Sequence, residues 1–376
     1  MPEVVPFLDL KAATEELREE LLTAANRVIR SGWYVLGAEV ERFEAEFAAY
    51  VGARHCIGVG NGLDALHLSL RAAGIRAGDE VIVPANTYIA TWLAVTYAGA
   101  IPVAVEPDAA TWNLDAGLIE EALTPRTKAI IPVHLYGQPA DMSRIGLIAR
   151  EHGLFLLDDA AQAHGSRWRG QRVGGVADAT AWSFYPSKNL GALGDAGAVT
   201  TNDDEIAQTL RMLRNYGTRT KYENELMGYN SRLDELQAAL LTAKLPMLDE
   251  WNDRRRAIAE SYRTGFEAAG APLILPAVAH DAEPVWHVYV VRTRERDRFR
   301  AHLAGRRVAT SVHYPIPPYR QQAYVAGGFI GGKFEISDAI HREAVSLPMG
   351  PHLSPGQIEA VLEAVASFQP VTAPTG

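Results

Sequence analysis

The sequence predicts an α/β protein: a large domain with a mostly parallel sheet sandwiched by helices, followed by a smaller α+β domain. Three observations lead there. The chain has 376 residues, more than one hydrophobic core usually supports. Short runs that are apolar throughout alternate with stretches of helical period, the pattern of parallel strands covered on both faces. After about Trp251 that alternation gives way to a sparser mixture. The expected division is therefore 1–250 for the large domain, including its N-terminal helices, and 251–376 for the small one.

Taken in order, Thr14–Ile29 reads as an amphipathic helix with Leu17, Leu21, Ala25 and Val28 on one face, stopped by Gly32. Glu39–Tyr50 follows as a second, with Val40, Phe43, Phe47 and Tyr50 as its stripe. His55–Val59, Glu80–Pro84, Ile101–Glu106, Lys128–Leu135 and Leu154–Asp158 read as strands. Leu63–Ala73, Tyr88–Ala98, Asp115–Leu123 and Asp141–His152 are the helices between them. Strands Ala179–Tyr185 and Gly197–Thr201 enclose a glycine-rich stretch, and helices follow from Asp204 and Ser231. The last third offers a helix to Ala269, strands Trp286–Arg292 and Thr310–Tyr314, and helices Arg296–Ala304 and Pro355–Phe368.

Composition narrows the function. With 45 acidic against 36 basic residues the net charge is −9, which argues against general nucleic-acid or anionic-membrane binding. The single cysteine, Cys56, forbids an intramolecular disulfide, a Cys-based zinc site and a cysteine-ligated iron–sulfur cluster, and no metal site is expected. Met1–Leu10 shows no signal-peptide pattern, and no stretch reaches the roughly 18 apolar residues of a membrane span. The expectation is a cytoplasmic protein.

Ligands of doubly wound sheets bind where strand ends meet the following loops, and four such loops carry polar residues in meaningful order. Gly60-Asn61-Gly62-Leu63-Asp64 joins a strand to a helix, where glycines and a helix N-terminus suit an anion. Asp158-Asp159-Ala160-Ala161-Gln162-Ala163-His164-Gly165 follows an apolar strand. An acidic pair there could cap a helix or bind metal, but pyridoxal 5'-phosphate accounts for more of the motif. One carboxylate holds the pyridine nitrogen protonated so that the ring acts as an electron sink. Asp159 takes that role because the spacing then places Ala161 against the ring face and Gln162 at its phenolic oxygen. In Ser183-Phe184-Tyr185-Pro186-Ser187-Lys188-Asn189-Leu190-Gly191, Lys188 sits between two apolar runs. There an amine of lowered pKa can form an imine with an aldehyde, and Ser183 offers a hydroxyl to the phosphate. Tyr88, at the start of a helix in Asn86-Thr87-Tyr88, is placed to stack on the ring.

At these residues, and across nearly the whole chain from Val5-Pro6-Phe7-Leu8-Asp9-Leu10 to Leu347-Pro348-Met349-Gly350, the sequence resembles the DegT/DnrJ/StrS nucleotide-sugar aminotransferases of the type I pyridoxal-phosphate fold. Asn230-Ser231-Arg232-Leu233-Asp234-Glu235-Leu236-Gln237 is a further marker. The resemblance implies Lys188 as the cofactor's amine, Asp159 as partner of the ring nitrogen, and Gln162 on the ring oxygen. Gly62, Leu63 and Ser183 would hold the phosphate. The family often has Thr or another small residue where this chain has Leu63, so only the backbone amide carries over there. Asn230 would reach the phosphate of the neighbouring subunit in a homodimer with shared sites. The implied substrates are a keto-sugar nucleotide, usually dTDP-linked, and L-glutamate. Lys221, Tyr185, His313 and Tyr314 match positions that meet sugar or diphosphate in related 3-aminotransferases, and Tyr34 is a further candidate. The expected reaction is amination at C3 of a dTDP-3-keto-6-deoxyhexose.

Five alternatives differ in what they need. A related 3-dehydratase has His where this chain has Lys188, and another dehydratase needs an iron–sulfur cluster. A dinucleotide oxidoreductase needs a GxGxxG turn with an acidic residue about twenty positions on, which is missing. A C4 aminotransferase would use the same residues with the hexose posed differently. A non-catalytic regulatory protein would bind the cofactor without turnover.

Overall fold

The computed structural model describes residues 4–329 and 332–369. A seven-stranded sheet organises the first two thirds: β1 (His55–Val59), β2 (Glu80–Pro84), β3 (Ile101–Val105), β4 (Thr127–Ile130), β5 (Phe155–Asp159), β6 (Ala179–Ser183) and β7 (Gly197–Thr201). Their spatial order is β1-β7-β6-β5-β4-β2-β3. Strands β2 to β6 pair in parallel, while β7 runs antiparallel to both β6 and β1. Most of their residues are buried, β2 completely, because helices cover both faces, while the edge strand β3 leaves Ile101 exposed. On one face α4 (Gly62–Ala72) and α5 (Ile89–Tyr97) share a core with Ile57, Val81, Trp92 and Leu157. On the other, α3 (Ala38–Val51) brings Phe43 and Phe47 edge-on to Phe184. The architecture is the expected α/β one, with a mostly parallel sheet flanked by helices.

The long helix Leu248–Ala268 leads into the C-terminal region. There β8 (Tyr289–Arg292) pairs antiparallel with β9 (Ala344–Leu347) over a core of Tyr262, Phe266, Phe299 and Val361. Val5 belongs to this second core and bridges to Val308, so the segment ahead of α-helical structure at Leu10 is tied at Val5 to the last third of the chain.

Several expected elements shift. The helix over Thr14–Ile29 is two, α1 (Leu10–Glu16) and α2 (Arg18–Ser31), since Asp9 caps the chain earlier and Leu17 leaves helical geometry. Asp115–Leu123 forms two 3-10 turns rather than an α-helix, the first opened by the Asp115 side chain accepting from Gly117 N. The fourth strand stops at Ile130, two residues before Pro132, and β8 begins only at Tyr289. Thr310–Tyr314 is not a strand. Only Ser311 pairs there, with Ser346 of β9, a strand the sequence pattern did not announce.

Candidate active site

The four loops singled out in the sequence follow β1, β2, β5 and β6, and β5 ends in the acidic pair. Successive strand residues face opposite sides, so the two carboxylates part company. Asp158 lies 3.4 Å from His134 Nε2 and lines a cavity with Met142 and Trp168. Asp159 turns toward α5, where its Oδ2 accepts from Thr91 Oγ1 at 2.8 Å and its Oδ1 from Ala161 N at 3.2 Å. Only 5% exposed, its carboxyl is pushed up by burial. The Thr91 hydroxyl, the Ala161 N–H and the charges of Lys188 and His134 pull the other way.

Lys188 stands in the turn after β6, its backbone N–H donating to Tyr185 O at 2.8 Å. Part of its surface is open, yet the protein packed around the amine lowers its pKa to about 8, against the pull of Asp159. An amine so placed is neutral in useful amount near pH 8 and can act as nucleophile or proton carrier. The next residue fixes the turn. Asn189 donates to Asn252 Oδ1 and to Val285 O, each at 2.9 Å, and its Oδ1 meets His287 Nδ1 at 3.2 Å.

The anion cradle lies between β6 and α4. Asn61 caps α4 by accepting from Asp64 N at 2.8 Å, while the N–H groups of Gly62 and Leu63 make no recorded bond among the described residues. A Cβ on Gly62 would come within 2.6 Å of Ser183 Cβ, so only glycine lets the helix start approach the serine this closely. Ser231 closes the loop, accepting from Gly60 N at 3.0 Å and donating to Asp64 Oδ2 at 2.6 Å.

Above Asp159, Gln162 accepts from Tyr136 N at 2.6 Å and donates to the Tyr314 hydroxyl at 2.8 Å, leaving one amide hydrogen to spare. Tyr88, half exposed, stands with its ring centroid 4.9 Å from that of Tyr314. His313 contacts Ser346 Oγ through Nδ1 at 2.7 Å and stacks on Phe7. Burial, helped by the Lys188 charge, keeps its imidazole neutral, with a pKa of about 4.

The structure thus brings together Asp159, Ala161, Gln162, Tyr88 and Tyr314, with Lys188 and His313 electrostatically coupled beside them, and sets Gly62 against Ser183. It does not bring Tyr34, Lys221 or Asn230 onto this pocket by a hydrogen bond or ring contact among the described residues. Tyr34 and Tyr185 are 57% and 54% exposed. Lys221 is exposed at the tip of the hairpin Thr218–Asn224, over the ring of Tyr222. Asn230 is exposed beside Asn215. Sequence reasoning passed over Thr91, His134, Asn189 and His287. Asn189 lay inside a quoted motif, whereas nothing local distinguishes the others from core residues.

These residues suit pyridoxal 5'-phosphate. An unspent pair of helix-start amides beside a serine can take the phosphate, and a buried, hydrogen-bonded carboxylate can pair with the ring nitrogen. The lowered amine beside them can take the aldehyde. Among the described residues no group of three or more His, Cys, Asp or Glu side chains is arranged to hold a metal ion, and no helix is long and apolar enough to cross a membrane.

Comparison with known proteins agrees with the geometry. The DegT/DnrJ/EryC1/StrS aminotransferase family matches residues 15–366. A Streptomyces venezuelae relative, dTDP-3-amino-3,4,6-trideoxy-alpha-D-glucose transaminase, is 54% identical over 97% of this chain and 96% of its own. An Aneurinibacillus thermoaerophilus relative, dTDP-3-amino-3,6-dideoxy-alpha-D-galactopyranose transaminase, is 54% identical over 97% of this chain and 99% of its own. The crystal structure of S. venezuelae DesV superposes with a TM-score of 0.95 at 52% identity, covering 98% of this chain and all of that one. The chain belongs to the DegT/DnrJ/EryC1/StrS aminotransferase family.

Proposed function

We propose that this pyridoxal-phosphate enzyme transfers the amino group of L-glutamate to C3 of a dTDP-linked 3-keto-6-deoxyhexose. The observation that carries the chemistry is the pairing of an amine lowered to about 8 with a buried, hydrogen-bonded carboxylate beside a helix-start anion cradle. The C3 position and the nucleotide rest on the two 54%-identical relatives, both named for dTDP-3-amino sugars. When bound, the cofactor supplies an electron sink for the carbanion formed at the reacting carbon.

The chain's own residues do the rest. Lys188 would hold the cofactor's aldehyde through its amine and carry a proton at Nζ for the reacting carbon of donor or sugar. Asp159 holds a proton on the ring nitrogen. Gln162 would offer its spare amide hydrogen to the ring oxygen, Ala161 and Tyr88 would pack against the ring, and Gly62 N, Leu63 N and Ser183 Oγ would hold the phosphate. His313 and Tyr314 orient the hexose, Tyr34 and Tyr185 line its approach, and Lys221 meets the diphosphate as a point charge.

We further infer a cytoplasmic homodimer with shared sites, in which Asn230 serves the partner's phosphate. Trp33, Tyr34, Val35, Tyr216, Tyr222 and Met227 are each exposed, large side chains that a partner subunit would cover. The two units, 1–250 and 251–376, would bound the cleft between them. The test is to offer thymidine-diphosphate 3-keto and 4-keto 6-deoxyhexoses separately with glutamate and locate the new C–N bond by NMR. Amination of the 3-keto sugar is expected, and turnover of the 4-keto sugar alone would overturn the C3 assignment.

A further inference from the structure

We propose that Thr91, backed by Thr87, is a positioning residue for Asp159: two buried hydroxyls in series that clamp the carboxylate in its charged form and fix its aim. The proposal rests on the aminotransferase reading, in which Asp159 faces the cofactor's ring nitrogen.

The argument is one of hydrogen direction. Thr91 is fully buried and Thr87 is 1% exposed, so water does not complete their bonds. Thr91 Oγ1 lies 2.8 Å from Asp159 Oδ2 and 2.9 Å from Thr87 Oγ1. A carboxylate has no hydrogen to give, so the single hydroxyl hydrogen of Thr91 must point at Asp159. With that hydrogen committed, Thr91 can only accept from Thr87, and the chain runs Thr87 to Thr91 to Asp159. Protonating Asp159 on Oδ2 reverses it, and Thr87 must then find an acceptor elsewhere. Among the described residues its hydroxyl has no side-chain partner besides Thr91. Reversal therefore leaves a buried donor unmade, which a buried polar group resists.

The position of the pair supports this. Thr91 lies in the first turn of α5 and its backbone N–H returns to Tyr88 O at 3.2 Å, so the segment that carries the stacking Tyr88 also carries the clamp. Burial alone drives the Asp159 carboxyl toward its neutral form, which could not hold a ring-nitrogen proton. The Thr91 bond is the foremost influence opposing it, followed by the Ala161 N–H, Lys188 from the turn after β6, and His134 from the segment after β4. Tyr314 approaches from the C-terminal region, where its hydroxyl accepts from Gln162, and Asp158 faces away toward His134.

The experiment labels aspartate with 13C at the side-chain carboxyl and follows its titration in the cofactor-free protein, the Asp159 signal being assigned by its loss in Asp159→Asn. Thr91→Val keeps shape and removes the donor; Thr91→Ser restores it; Thr87→Val leaves Thr91 in place but without backing. The expected result is an upward shift of about one pH unit in Thr91→Val, a smaller shift the same way in Thr87→Val, and recovery in Thr91→Ser. One unit corresponds to a tenfold change in the ionisation constant. In the loaded enzyme kcat should fall about tenfold in Thr91→Val with KM unchanged, and Thr91→Ser should recover it. An unmoved carboxyl titration in Thr91→Val overturns the proposal, as does a Thr91→Ser protein that stays shifted. If Thr91→Val does not fold, an unmoved titration in Thr87→Val does the same. The aminotransferase reading fails separately, if the wild-type enzyme loaded with cofactor moves no amino group from glutamate to a keto-sugar nucleotide.

Discussion

The floor of the pocket and its rim are held by different means. On the floor, Asp159, Gln162 and the Lys188 turn are fixed by short hydrogen bonds, donated by Thr91 and Tyr136 N and accepted by the Tyr314 hydroxyl and Tyr185 O, with the Asn189 network beside them. On the rim, Tyr34, Tyr185, Lys221 and Asn230 have their side chains in the open. A reacting centre must be organised before the substrate arrives, because rigid, dry placement is what makes a charge or an amine effective. A surface that meets a diphosphate or a second subunit can be completed by the partner that covers it. Substitutions on the floor should therefore act on the chemical step, and those on the rim on binding or on assembly.

The largest effect is expected at Lys188. Lys188→Ala should still bind the cofactor but lose turnover by a thousandfold or more, since proton movement by a placed side chain contributes roughly 10²–10⁴. Borohydride reduction of the wild-type holoenzyme and peptide mapping should find the pyridoxyl group on Lys188, and label on another lysine would move the floor elsewhere. In the cofactor-free protein, trinitrophenylation of Lys188 should rise through pH 8, because burial lowers this ammonium and the reactive free amine gains as pH climbs past that value. Asp159→Asn comes next. It should retain cofactor and lose activity by about a hundredfold, the cost of one charge-assisted contact in a shielded site. Near wild-type activity would transfer the role to Asp158, despite its facing His134.

An intermediate effect sharpens the border between floor and rim. If Asn230 serves the partner's phosphate, an Asn230→Ala dimer is impaired at both sites. Mixing it with inactive Lys188→Ala then creates a heterodimer with one site carrying neither lesion. Activity should reappear on subunit exchange. Verified exchange without recovery would put Asn230 on the floor of its own chain, where Ser231 already meets Gly60 and Asp64.

How much of this was legible beforehand follows the same border. The strand-turn motifs around Asp159 and Lys188 were readable because their spacing ties a buried strand end to the loop that carries the chemistry, and the loops stand where expected. Thr91 was not readable: a threonine in the first turn of an apolar helix is ordinary, and only the approach of α5 to the end of β5 gives it a carboxylate. Strand β9 was missed because its four residues follow the helix Glu335–Glu343 without a turn residue between them. His313 was foreseen inside a strand. Instead only Ser311 pairs with Ser346, and the next residues leave the ladder, which takes Tyr314 to Gln162. Lys221 and Asn230 were singled out by resemblance alone, since no local pattern marks an exposed residue that waits for a partner.

The smallest effect is expected at Lys221. Its ammonium stands exposed at the tip of the hairpin Thr218–Asn224, over the Tyr222 ring at 5.1 Å, and no carboxylate holds it among the described residues. A charge so solvated contributes modestly, because water screens it and the side chain must be ordered when the diphosphate binds. Lys221→Met should therefore raise KM for the sugar nucleotide about fivefold, the range of a surface ion pair, and leave kcat near wild type. Added salt should weaken the wild-type enzyme's hold on the nucleotide and narrow its lead over the variant, since screening removes for both what the substitution removes for one. The KM for glutamate should stay put, as that donor carries no diphosphate. A fall in kcat with KM unchanged would mean that Lys221 reaches the reacting centre after all, and the division between a preformed floor and a rim completed by its ligand would fail at that residue.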